Sequence, residues 1–449
     1  MTSSSFRLRR VVLPLLIASL ALIRVPSARA QDDAGPPPMT EDAKIDTTGP
    51  GGGYGNNISG EFTPGRGFDL IKTARGSLNI SFYGLFRYIN QLPANQTFTD
   101  HLGRVRTVNS MNALNWHRTM IWLTGFFYDT RFRYNITGWS LATTQQTLLF
   151  GNLQYVASQA LTAGVGIAPN LTNRSLQGTW PFWAASDRQM TEEALRGGFS
   201  SGAWLTGQPI KHWYYNFSVN NNLSQLGVTQ SNDTRDLAYS ASIWTMPTTG
   251  ELGPRGGFGD LEYHKKLATR FGVSAGQSYE SRYSPLGSPP SATQIKLSDG
   301  VNVFEEGALA DTVTVKRLRY QAMSFDASAK YRGFSILGEF TWRRLSNFEA
   351  TSPLPLAANY DRGFFVEAMH MVVPKYLGIY GVTSYIWDDF NRRPWEVAGG
   401  ADFYPSGTRS WRLNLHIIRI DKSPASSSFG YYTSGQSGTT VSLGTDILL

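Results

Sequence analysis

Residues 78–87 alternate strictly. Leu78, Ile80, Phe82 and Phe86 fall on one side, with Asn79, Ser81, Tyr83 and Arg87 opposite. The same period of two recurs in 131–137, where Phe132, Tyr134 and Ile136 oppose Arg131, Arg133, Asn135 and Thr137. In 324–332 it sets Phe325, Ala327, Ala329 and Tyr331 against Ser324, Asp326, Ser328, Lys330 and Arg332. In 334–343 it sets Phe334, Ile336, Phe340 and Trp342 against Ser335, Glu339, Thr341 and Arg343, and 411–417 follows suit. A period of two is the signature of a β-strand, so the pattern predicts an all-β chain. One face of each strand is apolar and aromatic, and the other carries charge. In a soluble sandwich the apolar face would be core. In a transmembrane barrel it would meet lipid, and the charged face would line the lumen. Alternation alone fits both.

One stretch breaks the pattern. In 164–223 the first half, to about Gly198, has no strand period and carries Arg174, Arg188 and Arg196. A loop of that length inside a compact domain is uncommon and usually functional. The second half reads as two strands, 199–206 and 214–220. A long loop between alternating strands predicts a barrel with that segment folded into its mouth. Further non-periodic stretches at 284–312, 345–362 and 421–439 alternate with short turns at 128–130, 330–333 and 404–410, as connections do in a transmembrane barrel. Aromatic clusters at Trp116, Trp122 and Phe126 to Tyr128, at Trp180, Phe182 and Trp183, at Trp213 to Tyr215, and at Tyr385 and Trp387 are expected to form girdles at the two interfaces.

The amino-terminal residues supply the compartment. Arg7, Arg9 and Arg10 precede a short apolar run, residues 11–23, and Ala28-Arg29-Ala30 follows. This is the pattern of a cleaved secretory signal peptide over residues 1–30. Residues 31–66, with a proline run at 36–38 and a glycine run at 49–53, are expected to form a disordered periplasmic leader, because such a composition buries too little apolar surface to order itself. The barrel is expected over 67–449. Some 380 residues without a domain break exceed what an ordinary single core accommodates, about 250–300 residues. The chain has no cysteine.

Charge and candidate chemistry narrow the reading further. Of 41 basic residues, five arginines lie in the signal peptide, so the mature chain keeps 36 against 33 acidic residues. From Gly67 onward the excess is seven, which suits small anionic solutes as partners. No Gly-Lys-Ser/Thr follows the glycine run, so a nucleotide-phosphate loop is excluded. The six histidines form no short-spaced ligand pattern. Neither a catalytic site, a metal, a cofactor nor a nucleic-acid partner is expected.

Three segments carry a family resemblance. HRTMIWLTGFFYDTRFRYNITGW within 112–139, RQMTEEALRGGFSSGAWLTG at 188–207, and EVAGGADFYPSGTRSWRLNLHIIRI with the closing strand in 396–449 resemble parts of the phosphate-selective porin O/P family. The resemblance implies a transmembrane antiparallel barrel of about 16 strands in the bacterial outer membrane, one loop folded into the pore, a homotrimer, and an anion path lined by arginine and lysine. Strand parity nominates Arg87, Arg131, Arg133, Lys330, Arg332 and Arg343 as pore-lining. Arg174, Arg188 and Arg196 are nominated because the resemblance puts their loop in the lumen. The expected function is passive diffusion of small solutes, favouring anions, with phosphate-like anions included. A barrel with a plugged lumen, an outer-membrane barrel enzyme and a soluble exported β-protein remain as alternatives.

Overall fold

The computed structural model describes residues 67–141, 146–177, 180–223, 236–253, 257–282, 295–425 and 430–449; the expected signal peptide and leader lie outside them. The first strands are β1 (Phe68–Thr73), β2 (Gly76–Leu92), β3 (Asn95–Thr99), β4 (Val105–Asn109), β5 (Asn112–Phe127), β6 (Asp129–Leu141), β7 (Gln146–Ser158) and β8 (Leu161–Pro169). A short helix, α1 (Met190–Leu195), precedes β9 (Phe199–Ile210), β10 (Trp213–Asn220), β11 (Ala238–Thr245), β12 (Ala268–Ser281) and β13 (Val315–Tyr331). The chain ends with β14 (Phe334–Ala350), β15 (Ala358–Val373), β16 (Leu377–Asp388), β17 (Trp395–Phe403), β18 (Trp411–Asp421) and β19 (Gly438–Leu448).

Strand β2 and strands β5 to β19 make one closed ring of 16 antiparallel strands. Closure comes where β19 pairs β2, from Thr439 opposite Leu92 to Leu448 opposite Tyr83. β1 then lies along the rest of β2, with Phe68 opposite Ile80 and Thr73 opposite Gly76. The hairpin β3–β4 stands apart from the ring. Closure leaves no lipid-facing strand edge, which an open sheet in hydrocarbon could not tolerate.

The two faces identify the surroundings. Phe132 and Ile417 are 38% and 46% exposed, while Asn135 and Glu339 on the opposite parity are 1% and 3% exposed. Large apolar side chains are outside and charged ones inside, the reverse of a soluble sandwich. The outer band faces lipid. Phe127, Tyr128, Trp213, Tyr331, Phe334, Tyr376 and Trp411 form an exposed aromatic belt at the turn end, with Trp116 and Trp387 at the other end. The expected girdle does not include Trp122, Trp180 and Trp183. All three are buried in an interior cluster with Tyr83, Met120 and Phe199. Trp122 follows the inward parity of its strand, and the other two ride on the inward loop.

Connections differ at the two ends. Single-residue and two-residue turns close β5–β6, β7–β8, β9–β10 and β13–β14. In the last, Arg332 (φ 47°) and Gly333 (φ 82°) both take left-handed backbone, as a two-residue hairpin turn requires. The stretch 345–362 is not a long loop: β14 runs to Ala350, β15 starts at Ala358, and only 351–357 connect them. Conversely, 246–267, between β11 and β12, is a long segment at the turn end that periodicity did not single out.

Arginine placed at Phe340 or Leu415 is expected to destabilise the barrel by about 2–4 kcal/mol if the site lies at the bilayer midplane. Urea titration of the folded chain in phospholipid vesicles measures this. No loss for either variant would contradict the lipid-facing assignment.

Candidate functional site

Strand β8 ends at Pro169, and the chain turns into the lumen. Described residues from Asn170 to Gly198 are buried, apart from the half-buried Phe182 and Ala194. The loop has little regular structure of its own, a 3-10 turn at Arg174–Gln177 and α1. Its orphan backbone groups are satisfied by the wall. Glu339 on β14 accepts from the Arg174 amide at 2.9 Å and from the Asn173 side chain at 2.6 Å. Gln189 at the N-cap of α1 makes no side-chain cap; Glu396 on β17 accepts from the Met190 amide instead, at 2.9 Å. Tyr320 donates to the Leu195 carbonyl at 2.7 Å, and Arg412 to the Ala184 carbonyl at 2.9 Å. Helix ends buried without partners would be costly, so these contacts hold the loop across the pore.

Wall arginines are largely committed to this work. Arg87 (2.6 Å) and Arg118 (3.1 Å) both hold Asp187 of the loop. Arg343 pairs with Asp361 at 2.6 Å and donates to the Ala194 carbonyl at 3.1 Å. Arg270 pairs with Asp326, and Arg412 with Asp446. Glu339 shares a face with Arg343 but binds the loop rather than that arginine. The loop arginines also have acidic or aromatic neighbours. Arg188 lies 3.5 Å from Glu192 and over the Trp183 ring. Arg196 lies 3.3 Å from Glu193. Arg174 donates to Ser328 at 2.8 Å and sits over Phe258 at 5.4 Å from its centroid.

The remaining nominated residues divide. Lys330 is buried inside. Arg133 is half-buried beside the β5–β6 turn, where it donates to the Thr130 carbonyl. Arg131 and Arg332 leave the alternation. Arg131, its side chain 54% exposed, pairs with Asp129 and lies over the ring of Tyr155, which shares the outward parity of Leu153. Arg332 sits exposed at the apex of its turn. Parity fails at strand ends because the side chain there is free to swing around the rim. Arg118, Arg270 and Arg412 were not nominated. Parity was available for Arg270 and Arg412. Arg118 was hidden by a bulge opposite Leu85 and Phe86, after which His117 and Arg118 are both buried.

A second segment enters from the turn end. In 246–267 the Phe258 amide donates to the Phe182 carbonyl at 2.5 Å, so the two inward segments meet. Its base is held by His264, which contacts Asp260 through Nδ1 and Glu251 through Nε2, the latter at 3.1 Å. Asp260 also accepts from the Gly333 amide at 2.7 Å. Burial alone would lower the His264 pKa. Hydrogen bonds and charge from Asp260 and Glu251 outweigh that and hold it at about 9. Burial works the other way on Asp260, and the His264 and Gly333 hydrogen bonds outweigh it to bring that carboxyl below its usual range.

No protein-family model matches the chain, and no curated protein matches it in sequence. Solved structures do match in shape. OmpT, an outer membrane protein of Vibrio cholerae, superposes with TM-score 0.50 at 10% identity, covering 84% of this chain and 98% of that one. Its loop L8 deletion mutant gives 0.50 at 10% identity, with 83% and 99% covered. The fold is that of an outer-membrane barrel. With the apolar outer band, it places the chain in the bacterial outer membrane. At such identity the likeness extends to fold alone. An anion-selective porin from Comamonas acidovorans also superposes, with TM-score 0.49 at 10% identity, over 83% of this chain and 99% of that one.

Two clusters have the residue types of chemistry. Asp260, Glu262 and His264 could in principle hold a metal ion, but both ring nitrogens of His264 already face carboxylates, leaving no lone pair for a cation. At the loop end His101 Nδ1 meets Asp299 at 2.6 Å and the ring stacks on Phe390. Burial pushes Asp299 up, and hydrogen bonds from the His101 side chain and amide outweigh it to bring the carboxyl down. The other ring nitrogen, Nε2, is buried with no nucleophile against it among the described residues. A hydrolytic base needs a substrate proton within reach there, so this pair is read as a staple joining the β3–β4 hairpin to the 295–314 loop.

Replacing Asp187 with Ala leaves Arg87 and Arg118 without their shared carboxylate. Removing one partner of a buried pair typically costs about 3–5 kcal/mol. The variant is expected to unfold at lower temperature in detergent and to expose the 170–198 loop to protease; an unchanged barrel would contradict the grip. The second test is pH. A folded-state pKa raised above the unfolded 6.5 stabilises fully below that value and is lost as pH rises through about 9. Hydrogen exchange in 257–267 is therefore expected to accelerate between pH 8 and pH 10, beyond the intrinsic base-catalysed rise. His264→Gln is expected to lack that extra step.

Proposed function

We propose that the chain is a non-enzymatic outer-membrane channel for passive diffusion of small solutes, with a preference for anions. The observation that carries this reading is the 170–198 loop, whose described residues are nearly all buried inside a 16-stranded barrel and which carries Arg174, Arg188 and Arg196. A narrow passage with low-dielectric walls concentrates the field of its charges. Conduction also requires that each solute bind weakly enough to leave. Arginine suits phosphate-like oxyanions, because its planar fork reaches two oxygens at once. Arg87, Arg133, Lys330 and Arg343 add positive charge from the wall, and Arg131 and Arg332 from the turn-end rim. Because acids accompany most of these groups, selectivity depends on the small local excess of charge. Phosphate preference rests on the resemblance to the phosphate-selective porins, as does assembly as a homotrimer embedded in outer-membrane lipid. Residues 1–30 are assigned as the export signal and 31–66 as a periplasmic leader.

A plugged barrel is the second reading. It is favoured by three apolar clusters inside the ring, one of which packs Leu297, Val303 and Phe304 against Leu318 and Tyr320 of the wall. Planar-bilayer recording decides between the two, since a plugged barrel gives no single-channel steps. In a conducting channel, Arg188→Glu with Arg196→Glu is expected to lower the anion-to-cation permeability ratio by roughly tenfold, the low end of what charge focusing produces. A reversal potential unchanged in a salt gradient would remove the loop from the selectivity constriction.

A further inference from the structure

Where the two inward segments meet, they leave a cavity of about 230 Å³ at the turn end. Phe182, Trp183 and Phe258 come from the segments, and Tyr404, Arg409 and Lys330 from the barrel. Most of the wall is apolar. The cationic groups differ in availability. Arg409 is committed to Asp446 and to the Pro181 carbonyl. Lys375 stands exposed at the mouth. Lys330 is only 3% exposed, and among the described residues its ammonium makes no hydrogen bond or ion pair. Its nearest acids, Glu262 and Asp260, act on it through space. The Asp260 carboxylate is already taken by His264 and the Gly333 amide.

A buried ammonium without a direct partner is costly, and the cost is relieved when an anion sits against it. The size and lining limit that anion. A dry cavity of about 150 Å³ accepts a benzene ring, so this one holds a single ring with a small substituent. Inorganic phosphate would satisfy Lys330 but leave the aromatic wall wet. A neutral ring would cover the wall but leave Lys330 alone.

We propose that the turn-end cavity is a binding site for small aromatic carboxylates, with the carboxylate on Lys330 and the ring against Phe182, Phe258 and Tyr404. The site requires the barrel and its two inward segments. It does not require that the lumen conduct, so its test is independent of the channel reading.

The experiment is isothermal titration of the full folded chain in detergent with sodium benzoate, benzyl alcohol and inorganic phosphate as separate probes. Benzoate is expected to bind saturably, at least tenfold more tightly than either of the others. Lys330→Met, which keeps the length and removes the charge, is expected to weaken benzoate at least tenfold and leave benzyl alcohol unchanged. Thr408→Trp, on an exposed turn at the cavity mouth, is expected to weaken benzoate with Lys330 intact. It serves as the deciding variant if Lys330→Met does not fold. Absence of saturable benzoate binding, equal binding of phosphate, or benzoate affinity unchanged in the variants would each overturn the proposal.

Discussion

Hydrocarbon offers no hydrogen-bond partner, so every backbone N–H and C=O of a lipid-facing strand has to be satisfied by the next strand. That constraint is met by the β2–β19 seam, where the last strand of the chain pairs with the first of the ring. β1 covers the stretch of β2 beyond the end of β19. Once the ring is closed, side-chain parity has only two destinations. Apolar groups go to lipid and polar groups go to the lumen, and a one-residue slip would exchange them along a whole strand. The bulge beside Leu85 is therefore local, and it brings both His117 and Arg118 inward.

Closure creates a second problem on the inside. The lumen gathers arginine, aspartate and glutamate in a narrow space, where an isolated charge is expensive. The solution is pairing across strands and with the inserted loop. Asp187 collects Arg87 and Arg118, Asp361 collects Arg343, and Glu339 and Glu396 cap backbone amides of the loop. These groups position the loop first. Only the imbalance among them is left to act on a passing ion, so an arginine count on the lumen face overstates the field there.

The two inward segments share that interior from opposite ends. One is gripped along its length by the wall. The other is held at its base by the His264 cluster and reaches Phe182 through the Phe258 amide. Their meeting bounds the small turn-end cavity, while an apolar cluster around Leu297, Val303 and Phe304 packs against Leu318 and Tyr320 of the wall. A transmembrane barrel usually carries short turns at one end. A long inserted segment there departs from that plan and gives this end a chemistry of its own.

Alternation identified several of the strands by itself, because a period of two is a local property of the backbone. It assigned Phe132, Phe340 and Leu415 to one face and Asn135, Thr341 and Asn414 to the other. Length without period likewise marked 164 to about 198 as a segment outside the wall, although 164–169 belong to β8 and the inward course starts only at Asn170. What alternation could not determine is which face is wet, since lipid and a protein core are equally apolar. Only the closed ring, with its large apolar side chains outside and its charged ones inside, decided that. Partner choice was also beyond reach. Asp187 lies 100 residues from Arg87, and ion pairing at that distance depends on where the loop lands. The outward rotation of Arg131 and Arg332 depends on free space at the rim. The inward course of 246–267 depends on Phe258 finding Phe182, a contact between two segments that have no period to read. Local periodicity is written along the chain; the filling of the lumen is set by contacts between distant residues, and tertiary structure alone brings those together.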